Sequence, residues 1–190
     1  MKLKDIRIEE AHRIWWTSDF HAFHANIIKY CNRPFKDIEE MNETILRNYN
    51  IAIQENDTVF YLGDIAFGEE NAKYILDRMK GKIHFVVGNH DSKYLDTIKN
   101  RAETVSDLID IEIGEQPITM SHYAMRVWHK SHFDSWNLMG HSHARLQPIG
   151  KQYDVGVDNN NFHPISFDTL KRIMQSRPHN ENYLPEKFRR

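Results

Sequence analysis

Cysteine is almost missing from this 190-residue sequence, in which Cys31 stands alone. A lone thiol excludes a disulfide framework and a thiolate metal cluster, and a reducing interior is its simplest compartment. Long apolar runs are missing too: nothing approaches the roughly 18 uninterrupted apolar residues of a membrane span. The first residues, Met1 to His12, are charged throughout. Neither a span nor a secretory signal is therefore expected, and the cytoplasm is the expected location. Charge of one sign is not in excess. The 25 Lys and Arg against 27 Asp and Glu leave a formal net charge of -2, with a pI near 6.6. Such a balance offers no broad attraction for a phosphate backbone, so extended nucleic-acid binding is not expected. Internal repeats and low-complexity linkers are absent as well.

What remains is ordinary globular material, 40% hydrophobic and 27% charged, and the length suits one domain. We place that domain at residues 1–175, followed by a polar, Pro-containing, loosely held tail at 176–190. Ile14 to Thr17, Thr58 to Leu62 and Ile83 to Val87 are short apolar runs that do not alternate with polar residues, as in strands buried on both faces. Between the first two, Ile38, Met41, Ile45, Tyr49 and Ile53 recur at helical steps, with Asp37 as cap and Glu40 at capping-box spacing. A second helix is expected over Glu70 to Lys80, stopped by Gly81. This order predicts right-handed crossovers and a partly parallel sheet. Beyond Asp91 the pattern reads as a mostly antiparallel meander. It comprises a hairpin with a four-residue loop at Gly114 to Pro117, strands at Asn137 to Met139 and Tyr153 to Val157, and a closing helix capped by Asp168.

Histidine is the excess: there are twelve, half of them between His122 and His163. Four fragments carry potential chemistry: Asp19-Phe20-His21, Gly63-Asp64, Gly88-Asn89-His90-Asp91 and Gly140-His141-Ser142-His143. Taken singly, the first two read better as a strand-end turn or a capped helix. The tetrad is expected by chance in roughly 0.3% of chains of this composition and Gly-His-x-His in about 3%, so their joint occurrence carries weight. Each fragment, and His122 too, follows directly on an apolar run. Strand ends of one sheet edge can gather such residues into one site, and Gly63, Gly88 and Gly140 let backbone approach closely there. Asp, Asn and His donors without thiolate suit borderline-hard divalent ions, Mn²⁺, Fe²⁺ or Zn²⁺, of which manganese is favoured. Seven donors are too many for one tetrahedral ion. Two ions can hold a hydroxide nucleophile and clamp phosphate oxygens.

The motif order Asp-x-His, Gly-Asp, Gly-Asn-His-Asp, His, Gly-His-x-His, spanning Ile14 to His143, resembles the calcineurin-like metallophosphoesterases. Ser18 to Phe35, with Cys31-Asn32-Arg33-Pro34-Phe35, further resembles a compact bacterial and phage subgroup. The resemblance implies an α/β fold of four layers, two mixed sheets face to face between helices. It also implies a hydrolase of small phosphomonoesters or phosphodiesters. Asp19, His21, Asp64 and His143 would hold one metal, and Asp64 would bridge to a second held by Asn89, His122 and His141. His90 would stabilise the transition state or protonate the leaving oxygen, with Asp91 orienting its ring. Two departures stand out: Phe67 occupies the place of a frequent second Asp, and Ala22-Phe23 replaces the subgroup's usual Phe-Gly.

His24, Asn26 and Arg126 are candidate phosphate contacts, although His24 reads equally as a helix cap and Arg126 as a solvated or salt-bridged residue. His129 and His132 line the cleft or face solvent. The candidate substrate walls are Phe23 to Phe35, Met125 to Asn137 and Asn159 to His163, and none carries a readable code. A nuclease or end-processing phosphatase is the alternative, disfavoured by the charge balance. A non-catalytic scaffold, like the retromer subunit of this superfamily, is disfavoured by retention of His90 and all seven donors. Substrate identity and oligomeric state are not legible.

Overall fold

A computed structural model describes residues 1–3 and 8–185. The last five residues of the expected tail lie outside the described residues. The strands are β1 (Ile14–Thr17), β2 (Thr58–Tyr61), β3 (Lys82–Val86), β4 (Thr104–Ser106), β5 (Leu108–Ile113), β6 (Gln116–Ser121), β7 (Trp136–Met139), β8 (Gln152–Asp154) and β9 (Ile165–Ser166). The helices are α1 (Asn26–Tyr30), α2 (Ile38–Ala52), α3 (Glu69–Leu76), α4 (Leu95–Lys99) and α5 (Phe167–Ser176). They build two mixed sheets flanked by helices, ordered β4-β3-β2-β1-β9 and β5-β6-β7-β8.

The non-alternating apolar strands have a physical explanation in two cores. Successive side chains of a strand point to opposite faces. Val59 and Tyr61 of β2 and Ile83 and Phe85 of β3 accordingly enter one core, with Met41, Ile45 and Tyr49 of α2 and Ile75 of α3. Trp16 of β1, Phe60 of β2 and Val86 of β3 enter another, with Ile111, Met120 and Leu138 of the second sheet and Phe167 and Leu170 of α5. The first sheet is thus covered on both faces. Among the described residues no helix is long and apolar enough to cross a membrane.

Asp37 caps α2 as expected, accepting from the Glu40 N–H at 2.9 Å. The Glu40 carboxylate, however, reaches Lys36 N–H at 2.8 Å rather than the cap residue's own amide. Helix α3 ends at Leu76, short of the expected Lys80, and a turn carries the chain to Gly81. The β5–β6 loop has two residues, since Ile113 pairs with Gln116 and Glu112 with Pro117, and positive φ falls on Gly114. Ser166, not Asp168, caps α5.

The mostly antiparallel meander is corrected. Within the second sheet only β5 and β6 are antiparallel, whereas β6 pairs with β7 and β7 with β8 in parallel. Residues 122–135 and 140–151 supply the crossovers that parallel pairing requires. This direction matters for the site, because parallel neighbours end at the same sheet edge. The tail is also better anchored than expected. Asn180 is buried and donates to the Ser131 and Ser135 carbonyls, and Leu184 N–H reaches the His132 carbonyl.

Candidate active site

The carboxyl ends of β1, β2, β3, β6 and β7 all open on one edge, where the two sheets meet. Ser18, just past β1, bridges Gly156 in parallel, and Gly140 N–H donates to the His122 carbonyl. Three glycines permit the approach, Gly63 among them because a Cβ there would collide with His122 Nδ1. A Cβ on Gly88 would collide with Asp64 Oδ1, and one on Gly140 with Ser18 Oγ and Asp19 Oδ2. Backbone strain concentrates in the same loops. Asp19, His21, Asp64, His141 and His143 take φ of 59, 48, 60, 64 and 48°. That left-handed region is unfavourable for non-glycine residues and is typical of functional sites.

Ligand-type atoms of Asp19, His21 and His143 lie within 4.8 Å of one another, as do those of Asp64, His122 and His141. Asp64 stands between the two groups, with one oxygen, Oδ2, 3.4 Å from both His21 Nε2 and His122 Nε2. Its other oxygen accepts from the His90 amide at 2.9 Å. Asn89 Oδ1 is 3.1 Å from His122 Nε2. His21 Nε2 is buried yet has no hydrogen-bond partner. Such an orphaned nitrogen, aimed at two carboxylates, fits a divalent ion, and the donor set of imidazoles, carboxylates and one amide fits borderline-hard metals.

Outer contacts fix the donors. His122 Nδ1 lies 2.7 Å from the Leu62 carbonyl, which selects the tautomer that frees Nε2. His143 Nδ1 lies 2.7 Å from Asp158 Oδ2. Asp158 is held in turn by two bonds of 2.8 Å from the buried Arg33 guanidinium. The same guanidinium donates to the Asp19 and Phe20 carbonyls at 2.7 and 2.8 Å. Asp154 accepts from Ser142 Oγ and Ala144 N–H, pinning the loop that carries His141 and His143. Asp158 and Asp154 were missed in the sequence, having no motif of their own. Arg33 had a signal, since it belongs to the Cys31 to Phe35 stretch.

Burial pushes the Asp19 carboxyl up to about 7 despite His122 and His143 nearby. Burial likewise drives His21 down to about 3. For Asp64 and His122, burial opposes charge on both, but their mutual contact outweighs it. Asp64 is held at about 2 and His122 at about 9.

One expected role is corrected. The Asp91 carboxylate does not hold the His90 ring; it is fully buried and accepts from the amides of Asp64, Gly88 and Ile65 at 2.8, 2.8 and 3.2 Å. Three converging N–H groups outcompete an exposed imidazole, so Asp91 ties the β2 and β3 loops together. His90 itself is exposed, its ring centroid 5.2 Å from that of His21.

The remaining candidates divide. His24 lies beside the cluster, 5.9 Å from His21 between ring centroids, and does not cap α1, whose N-cap residue is Ala25 and which has no side-chain cap bond. Asn26 is exposed at the start of α1. Arg126 is not brought to the cluster by any ion pair or hydrogen bond; its exposed guanidinium pairs with Glu181 at 2.7 Å. His129 and His132 are exposed. Phe23, at the position where the subgroup carries glycine, takes φ 62°, so the loop keeps a glycine-like path.

The chain is similar to several known proteins. The chain is 32% identical over 173 residues to the uncharacterized protein MJ1445 of Methanocaldococcus jannaschii, covering 86% of this chain and 92% of that protein. It is also 32% identical over 85 residues to the Gene 66 protein of Mycobacterium phage L5, covering 42% of this chain and 40% of that protein. Its fold superposes with a TM-score of 0.66 on AQ665 of Aquifex aeolicus, a protein of unknown function. That alignment is 23% identical and covers 84% of this chain and 98% of the other. The model of the calcineurin-like phosphoesterase family matches residues 12–178. With the motif order, the two mixed sheets and the His/Asp clusters at their common edge, this match establishes that the chain belongs to the calcineurin-like phosphoesterase family, the metal-dependent phosphoric ester hydrolases.

Proposed function

We propose that the chain is a two-metal phosphoesterase of small phosphomonoesters or phosphodiesters. The observation that carries this reading is the position of Asp64 Oδ2, equidistant at 3.4 Å from a nitrogen of each histidine group. In this reading Asp19, His21, Asp64 and His143 hold one ion, and Asp64, Asn89, His122 and His141 hold the other. Two bound divalent ions, manganese favoured over iron or zinc, would supply an activated water and neutralise phosphate oxygens. The protein's own residues do the rest. His90, exposed at the rim with its amide anchored on Asp64 Oδ1, gives a proton to the leaving oxygen. Asp91 positions Asp64 and the Asn89-His90 turn rather than touching substrate. The single cysteine and ordinary charge balance keep the cytoplasm as the proposed location.

The test is Mn²⁺-stimulated hydrolysis of p-nitrophenyl phosphate and bis-p-nitrophenyl phosphate. Asp64→Asn is expected to abolish turnover, and His90→Ala to lower kcat by about 10²- to 10⁴-fold, the range for loss of a general acid. Wild-type turnover in both variants would overturn the proposal.

A further inference from the structure

A cleft of about 450 Å³ adjoins the candidate metal centre, lined by Asn89 and His90 at the shared side and by Phe67, Gly68 and Lys93 beyond. It is not among the walls expected from the sequence. Its volume falls within the range of small-molecule sites. Phe67 is 57% exposed, a large apolar side chain left in solvent at the mouth of a polar centre. Its backbone is nonetheless held in place. The Phe67 amide donates to the Ala22 carbonyl at 2.8 Å, and its carbonyl accepts from Asn71 Nδ2 at 2.7 Å. The ring lies nearly parallel to that of His24, 19° between planes and 5.1 Å between centroids. The backbone is thus anchored and the ring rests against His24, which narrows the side-chain freedom a stacking partner would cost. Lys93 is exposed and, among the described residues, forms no ion pair.

We propose that this cleft seats the leaving group of the ester, a nucleoside whose base stacks on Phe67. The proposal rests on the phosphoesterase reading for the phosphate half of the substrate, and on the aromatic shelf for the other half. The side is set by His90, which lines the cleft and, as the acid, must face the leaving oxygen. Hydrolysis there breaks the bond from phosphorus to the nucleoside oxygen and forms one from phosphorus to the oxygen of water. The nucleoside oxygen takes the proton that His90 gives, and the proton lost from water goes to solvent. A nucleoside fits better than an aliphatic alcohol because only a flat ring gains from an exposed aromatic face.

Two measurements test it. Adenosine, which carries no phosphate and requires no metal, should receive NMR saturation at its base protons from the wild-type protein. The transfer should fall in Phe67→Ala and persist in Phe67→Trp, with thermal melts confirming that both variants fold. In Mn²⁺-loaded protein, AMP should compete against p-nitrophenyl phosphate about 5- to 100-fold more strongly than ribose 5-phosphate, the span of one stacking contact. That ratio should collapse toward one in Phe67→Ala. Equal saturation transfer in wild type and Phe67→Ala, or a wild-type ratio within about twofold, overturns the proposal. Hydrolysis with a ratio near one removes the shelf and leaves the phosphoesterase reading. Adenosine docking without hydrolysis does the reverse.

Discussion

At the scale of single residues, the site is a contest between protons and metal. His122, lifted to about 9 by Asp64 against its burial, is protonated across the neutral range, and an ion must displace that proton. Apparent metal affinity should therefore rise with pH by about tenfold per unit below about 9 and level off above it. Below about 7, where Asp19 also holds a proton, the rise should be steeper. Calorimetry in buffers of different ionisation enthalpy reads the protons released; a count of zero at pH 7 would contradict this picture. The Arg33–Asp158–His143 chain makes a second prediction. Replacing Asp158 by Asn leaves His143 Nδ1 without its carboxylate and should weaken metal binding by about 10- to 100-fold, as loss of an outer-shell partner does. Chelator competition measures it. Asp158→Ala should be worse for folding, by about 3 to 5 kcal/mol in denaturant melts, because the buried Arg33 charge loses its partner.

At the scale of elements, the loops after the strands separate function from stability. Gly140→Ala would push a methyl group into Ser18 and Asp19. It should abolish metal binding while circular dichroism stays native. Asp37→Ala, at the exposed N-terminus of α2, should cost about 1 kcal/mol through the lost cap and leave turnover alone. Much of this level was legible. The buried strands β1 to β3, helix α2 and its cap were readable because their apolar spacing and cap residue are local. The pairing direction of β6, β7 and β8 was not, because short strands carry no sign of which way their neighbours run. Yet the expectation that His122 and His141 share an edge already required β6 and β7 to be parallel. Their ring centroids are 5.0 Å apart, a meeting that an antiparallel pair would have prevented.

For the whole molecule, the metal centre of the proposed reading would be a clamp. Asp19, His21, Asp64 and Asn89 extend from the first sheet, and His122, His141 and His143 from the second. Ions held between them would tie the sheets together at the edge of the shared core. At metal concentrations about a thousandfold above Kd the native state gains about 4 kcal/mol. For a chain of this length that corresponds to a Tm rise of about 8 to 16 °C. Chelation should lower Tm by this amount, and added Mn²⁺ should restore it in a concentration-dependent way. A Tm indifferent to chelator would mean that the ions do not bridge the sheets.

The sequence by itself determined which donors are present, their order along the chain, and their placement after apolar runs. These are properties of composition and local spacing, and they suffice for the family. Only the tertiary structure decided which atoms converge and what supports them. Asp91 faces inward to three amides instead of toward His90, Asp158 and Arg33 stand behind His143, and Arg126 turns away to Glu181. Each depends on contacts between segments far apart in the chain, where burial and competition among partners, not residue type, select the bond that forms. The cleft walled by Phe67 is of the same kind. A phenylalanine where relatives often carry aspartate is visible in the sequence, but its stacking on His24 exists only in the fold.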